Sequence, residues 1–272
     1  MAASIKDMQL YTGARRIYRE LETRGIGPGD PLKLQDLTPF DQLHYHGTEA
    51  LDQAIAALGI APGQKVLEIG AGWGGPARYV AAISGAHVTA VELQSDYNEV
   101  GQDLTRRAGL DHKVTHICGD FHDVDLPEGG FDHVVSWLAL YHIPDRPGFL
   151  AKAARLLHPK GQFWAEDLTQ RAPPRDKARF QAAIFANSLV DLGAYRATLE
   201  QAGFTCLLAT DMTQDWSAFT KDRLQAFLQE EDAFIARHGP EVAEAIRSFY
   251  TSISGYFDDG TIGGARIHAK RA

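Results

Sequence analysis

The chain separates into regions by the period of its apolar positions. Residues 5–22 carry Ile5, Met8, Tyr11, Ala14, Ile17, Tyr18 and Leu21 at a three-to-four spacing, which predicts an amphipathic helix. The glycine- and proline-rich stretch 25–31 reads as a loop, and a second helix is predicted from Pro39 or Gly47 through Leu58. Beyond residue 60 the pattern changes. Short apolar runs at 65–70, 87–93, 113–118, 131–137 and 161–167 read as strands, separated by helix-length segments at 75–84, 95–108 and 146–157. Strands alternating with helices at this spacing imply βαβ units and a parallel, doubly wound α/β sheet. The runs VLEI and VVSW set apolar residues side by side rather than at alternate positions, as strands covered on both faces do.

After Asp167 helices are predicted over 175–190 and 191–202, then a strand over 204–212 and a long helical stretch over 216–257. A turn at 258–264 and a strand at 265–271 close the chain. Because that strand comes so late, 213–262 reads as an insertion. The expected organisation is an N-terminal helical cap segment, 1–58, before a sheet domain, 59–271, with helical cap insertions at about 172–190 and 213–262. The tail aromatics, such as Trp216, Phe219, Phe249 and Phe257, read as cap core.

Composition narrows the classes. With 44% hydrophobic and 23% charged residues among 272, the chain is ordinary globular material, neither disordered nor low in complexity. No apolar run approaches the roughly 18 residues of a membrane span, and the first twenty residues hold no secretory apolar stretch, so a cytoplasmic protein is expected. The net charge of −8, without a basic block, argues against nucleic acid as partner. Cys118 and Cys206 stand far apart in neither disulfide-framework nor zinc-finger spacing. His44-x-His46 places two imidazoles on one face only in an extended segment, with no third ligand at a recognisable spacing, so no metal is expected.

The segment Glu68-Ile-Gly-Ala-Gly-Trp-Gly-Gly75 carries the most chemistry. It follows a predicted strand and precedes Pro76, which suits a helix's first turn. Gly70 and Gly72 let the backbone turn tightly and approach a ligand closely, although such turns also occur without one. Gly70-x-Gly72-x-x-Gly75 satisfies the dinucleotide pattern, with Glu92 about 20 residues onward to accept from ribose hydroxyls. On that pattern alone an NAD-dependent oxidoreductase stays open. Three features pull away from it: Glu68 two residues before the first glycine, Trp73 where a pyrophosphate would pass, and Gly119-Asp120-Phe121 after the third strand. There an acid suits an adenine amino group and an aromatic suits its ring.

This constellation resembles the class I S-adenosylmethionine-dependent methyltransferases over about residues 60–170, including LLHPKGQFWAED at 156–167. The resemblance implies a doubly wound, Rossmann-like, seven-stranded sheet whose last strand is antiparallel, topped by the helical cap. It implies S-adenosyl-L-methionine as cofactor, with S-adenosyl-L-homocysteine as product. By the same resemblance Gly70 and Gly72 would lie along the methionine moiety and Glu92 would bind both ribose hydroxyls. Leu93 would flank the adenine, Asp120 would meet its amine, and Phe121 would pack beside the ring. Glu68, Ala71 and Trp137 join the expected cofactor-binding set. Tyr45, in Phe40-Asp-Gln-Leu-His-Tyr-His-Gly47, would approach the sulfonium, a cation that aromatic faces attract by about 0.5–2 kcal/mol.

A narrower similarity is to the glycine/sarcosine/dimethylglycine and phosphoethanolamine N-methyltransferases, carried by Tyr11 in LYTGARRIYRE, His142 in LALYHIP and the stretch 47–81. It implies methyl transfer to a small-molecule acceptor, first an amine or amino-acid nitrogen. His142 would act as catalytic base, oriented by Tyr11; the alternatives, a histidine packed in a turn and a tyrosine in an apolar stripe, stay open. The phosphobase enzymes place an acid and a tyrosine where this chain has Leu138 and Leu168, which argues against phosphoethanolamine itself. Those leucines, with Trp137, Tyr141 and Trp164 nearby, keep C- or O-methylation of an apolar metabolite open, and a non-catalytic cofactor-binding module is a further alternative. Arg247 and Arg266 are cations that would suit a substrate carboxylate. Oligomeric state is left open.

Overall fold

The computed structural model describes residues 13–272. Its strands are β1 Lys65–Ile69, β2 His87–Glu92, β3 Val114–Cys118, β4 Phe131–Trp137, β5 Leu157–Gln170, β6 Phe204–Asp211 and β7 Ile262–Arg271. They form one sheet in the order β3-β2-β1-β4-β5-β7-β6. β1 to β5 pair in parallel, and β7 runs antiparallel to both β5 and β6. The sheet is therefore the expected seven-stranded one with an antiparallel last strand. Strand order reverses between β1 and β4, which opens a crevice beyond their carboxyl ends.

Continuous apolarity in the central strands has a direct cause. Leu67, Ile69, Val134 and Phe163 face α6 (Arg146–Leu156) and α8 (Leu192–Gln201), whose Phe149, Leu150 and Leu199 are buried there. Their chain neighbours Val66, Val135 and Trp164 face the other way, onto α3 (Gly47–Leu58) and α4 (Gly75–Ser84) through Leu51, Ala54 and Val80. Both faces are dry, so both residue parities are apolar.

Several boundaries differ from the expectation. The described part of the first helix, α1, is only Arg16–Glu22, because Gly13 at φ +78° sits in a turn before it. Tyr11 lies outside the described residues. The second predicted helix is α3, which takes the later of its two expected starts, Gly47, and ends at Leu58; Pro39 instead lies inside a separate helix, α2 (Leu34–Asp41). α5 (Ser95–Arg107) matches its prediction closely. The helix expected over 175–190 is α7, Lys177–Ile184, ended by Phe185 in the left-handed region at φ 54°. The stretch 216–257 is three helices, α9 (Thr213–Gln229), α10 (Glu231–His238) and α11 (Pro240–Asp258). Gly239-Pro240 makes the second break, since proline suits a first helical position and glycine takes φ 87°.

Helices α9 to α11 intervene between β6 and β7 and pack over the end of the sheet together with α7. α1 reaches across to α10: Arg19 Nη1 donates to the Arg237 carbonyl at 2.9 Å, and His238 Nε2 lies 2.6 Å from Glu20 Oε1. Among the described residues no helix is long and apolar enough to cross a membrane.

Candidate functional site

The carboxyl ends of β1, β2, β3 and β4 open into one cavity of about 640 Å³. Its floor at the β1 end is the glycine turn. Gly70 (φ +76°) and Gly72 (φ +54°) both lie in the left-handed region. A Cβ on Gly70 would come within 2.2 Å of the Ala139 Cβ, so only glycine leaves the turn room against the β4 loop. Trp73 turns away from the cavity, its indole N–H donating to the Ala14 carbonyl at 2.9 Å and its ring stacking on Tyr97. Gly74 (φ +72°) then starts α4.

At the end of β2, Glu92 faces the cavity and accepts from the Gly72 and Gln94 N–H groups at 2.7 and 2.8 Å. Burial nevertheless raises its pKa, against the pull of those backbone donors. After β3, Asp120 Oδ1 accepts from the His122 N–H at 2.9 Å, forming a tight turn that carries Phe121. Lys152 of α6 clamps that turn, its ammonium donating to the carbonyls of Phe121, His122 and Val124 at 2.6, 3.2 and 2.6 Å.

Beyond β4 the chain makes a 3₁₀ turn, Leu140–His142. His142 is buried, and its Nδ1 lies 2.9 Å from the Phe185 carbonyl. A carbonyl only accepts, so Nδ1 carries the proton and the neutral ring's lone pair is on Nε2. Burial pulls the His142 pKa down to about 4, overriding the opposite effect of the Phe185 carbonyl. Two residues that line the cavity, Leu138 and Phe185, hold positive φ angles of 52° and 54°. Such strain costs of order 1–3 kcal/mol each and collects at functional sites. The loop 185–190 is tied to the 3₁₀ turn by Arg146, which bonds Asp167 at 2.7 Å and the Ser188 carbonyl at 2.7 Å.

The structure thus gathers Gly70, Gly72, Glu92, Leu93 and Asp120 around one cavity, with Phe121, Trp137, Tyr45 and His142. Glu68 and Ala71 do not reach it. Glu68 is buried behind the turn beside the Arg78–Asp41 ion pair, and burial raises its pKa to about 8. Ala71 packs into the α3–α4 core. Of the two leucine replacements, Leu138 lines the cavity and Leu168 is core. Arg247 and Arg266 also lie elsewhere: Arg247 pairs with Glu231 and Glu244, and Arg266 bonds the buried Glu166 at 2.7 Å. The β5–β7 register sets Glu166 directly opposite Arg266. His44 and His46 have separate partners, the Gly47 carbonyl at 2.9 Å and Asp215 at 2.7 Å.

Two cations that sequence reasoning passed over do face the cavity. Arg16 lies over the Trp73 ring near the Tyr97 hydroxyl. Arg223 of α9 enters at the opposite end, among Tyr45, Phe219 and Tyr250.

Comparison with known proteins finds similarities over the same region. Residues 67–165 match the model described as a methyltransferase domain. The chain is 29% identical over 209 residues to methyltransferase GfsG of Streptomyces halstedii, covering 75% of the chain and 74% of that protein. It is 34% identical over 181 residues to the sarcosine/dimethylglycine N-methyltransferase of Halorhodospira halochloris, covering 65% and 64%. Among solved structures it superposes on Haemonchus contortus phosphoethanolamine N-methyltransferase 2, in complex with phosphomonomethylethanolamine and S-adenosylhomocysteine. That match has a TM-score of 0.82 at 19% identity, over 99% of this chain and 61% of the other. The chain spans less than two thirds of the last two proteins.

Proposed function

We propose that the chain is a class I S-adenosyl-L-methionine-dependent methyltransferase whose acceptor is a small molecule held in the cavity, first an amine or amino-acid nitrogen. One observation carries the reading: strand ends and the helices α7, α9 and α11 line one cavity of about 640 Å³. That lies within the 300–1,000 Å³ range of small-molecule and cofactor sites. A concave space of that size and a net charge of −8 both favour a small acceptor over nucleic acid.

The residues at the strand ends fit the cofactor. Glu92 offers a carboxylate to the ribose hydroxyls, Asp120 one to the adenine amine, and Phe121 a ring face held by the Lys152 clamp. The turn at Gly70 and Gly72 lets the methionine chain approach the backbone, and Tyr45 presents an aromatic face toward a sulfonium. When bound, S-adenosylmethionine supplies a methyl group on a sulfonium, whose thioether leaves readily. The protein's share of the work is therefore to orient the acceptor in line and keep water out. The helices α1–α3, α7 and α9–α11 are read as the cap that does so.

Glu92→Gln is expected to weaken S-adenosylhomocysteine binding by roughly ten- to a hundredfold, since a charge-assisted hydrogen bond contributes about 1.5–3 kcal/mol. Isothermal titration measures it, and an unchanged Kd would remove the ribose assignment.

A second reading, C- or O-methylation of an apolar metabolite, is favoured by the lining of the far end, where Leu138, Ile143, Ala182, Ala183, Ile246 and Phe249 meet. Incubation with methyl-labelled cofactor and a metabolite extract, followed by mass spectrometry, separates the two. Label on nitrogen supports the first reading and label on carbon or oxygen the second. Label in no small molecule defeats both.

A further inference from the structure

The ionisable groups around the cavity are unevenly divided. Both carboxylates among its described lining residues, Glu92 and Asp120, stand at the ends of β2 and β3. The far end, built by α7, α9 and α11, contributes alanines, Ile246, Phe249, Tyr250, two serines and one charge, Arg223. Arg223 is half-buried, and among the described residues it forms no ion pair. One N–H, from Nη2, donates to the His44 carbonyl at 2.8 Å. Its plane is packed among aromatic rings, with the guanidinium carbon 5.3, 4.7 and 5.6 Å from the ring centres of Tyr45, Phe219 and Tyr250. Rings on this scale fix the direction of a guanidinium and offset part of its desolvation, yet they supply no counter-charge.

We infer that Arg223 receives a carboxylate of the methyl acceptor, which makes the acceptor class an apolar-bodied carboxylic acid carrying the group to be methylated. This rests on reading the far end of the cavity as the acceptor's place. A guanidinium has five N–H donors in a rigid fork that matches a carboxylate with two parallel bonds. Only one is spent on His44. The surroundings select the rest of the ligand: rings and aliphatic side chains accept an apolar body, and among the described lining residues no second cation stands at that end to balance a dianionic phosphate. With its carboxylate fixed on α9, an amino-acid-like acceptor would turn its other end toward His142 and Leu138 at the β4 loop.

The test uses the full chain saturated with S-adenosylhomocysteine and titrates three probes: 3-phenylpropanoate, 3-phenylpropanamide and phenethyl phosphate. The carboxylate is expected to bind about tenfold or more tightly than the isosteric amide, and more tightly than the phosphate. In Arg223→Gln that ratio should fall to within about twofold, with S-adenosylhomocysteine affinity unchanged. Arg223→Lys should restore part of the preference, which a purely packing role would not do. Absence of carboxylate binding, a tighter phosphate, or a preference that survives in Arg223→Gln overturns the assignment. The proposed reaction fails by a different readout, namely absence of label in any small molecule, so the two failures are distinguishable.

Discussion

Asp167→Ala is expected to cost about 3–5 kcal/mol of folding stability, because it leaves a buried guanidinium without its counter-charge. Asp167 and Arg146 are both buried, and Arg146 Nη1 bonds Asp167 Oδ2 at 2.7 Å. The second carboxylate oxygen accepts from the Tyr141 and Leu168 N–H groups, each at 3.0 Å, so the substitution also strands two backbone donors. Arg146 in turn holds the Ser188 carbonyl, and Asn187 donates to the His142 carbonyl at 2.8 Å. The pair therefore joins the fold to the loop that orients His142. The loss corresponds to a fall of roughly 6–20 °C in melting temperature for a domain near this size. Arg146→Met should cost less. Burial already raises the pKa of Asp167, and without Arg146 it can take up a proton, whereas a guanidinium has no neutral form to retreat to. Calorimetry at neutral pH decides: equal or smaller loss in Asp167→Ala than in Arg146→Met would refute this account.

What the sequence disclosed and what it hid follow one physical line. The glycine turn is local. Gly70 and Gly72 must take φ angles that other residues avoid, and the strand before them is apolar at both parities because helices cover both faces. The acids at the ends of β2 and β3 follow the same logic, since each sits at the end of its own strand. Arg223 gave no such signal. Its neighbours Tyr45 and Tyr250 are brought to it from two other segments, and nothing on α9 alone tells a cavity-facing arginine from a solvated one. Arg266 read as a free cation for the converse reason, because only the β5–β7 register sets it against Glu166. Of the two breaks in 216–257, Gly239-Pro240 was written in the chain, whereas nothing comparable marks the one at Glu230. Pro39 read as one possible start of the helix that begins at Gly47, whereas it lies inside the separate helix before it.

His142→Ala is expected to lower kcat by about a hundredfold, the scale on which misorientation of a reacting group acts, while the Kd for S-adenosylhomocysteine stays within about twofold. The chemistry follows from the ring's two nitrogens. Nδ1–H is fixed on the Phe185 carbonyl at 2.9 Å, and a buried ring with pKa about 4 is neutral throughout the physiological range. Its accepting form is thus fully present above the unperturbed value near 6.5 and is lost only as pH falls through about 4. So weak a base takes little share of a proton from an ammonium, whose pKa is about 8–10. We propose that its role is instead to accept a hydrogen bond from the acceptor's N–H or O–H and aim the lone pair at the methyl group. Two results follow for the acceptor found by labelling. The rate–pH profile should show no inflection near 6.5, and with an amine acceptor it should rise until the acceptor's own ammonium has lost its proton. His142→Gln, which keeps an acceptor oxygen and an N–H donor, should recover part of the loss. An inflection near 6.5 that disappears in His142→Ala would instead make His142 an ordinary solvent-coupled base. An undiminished kcat in the alanine variant would reduce it to packing beneath Tyr141, whose ring centre lies 3.8 Å away.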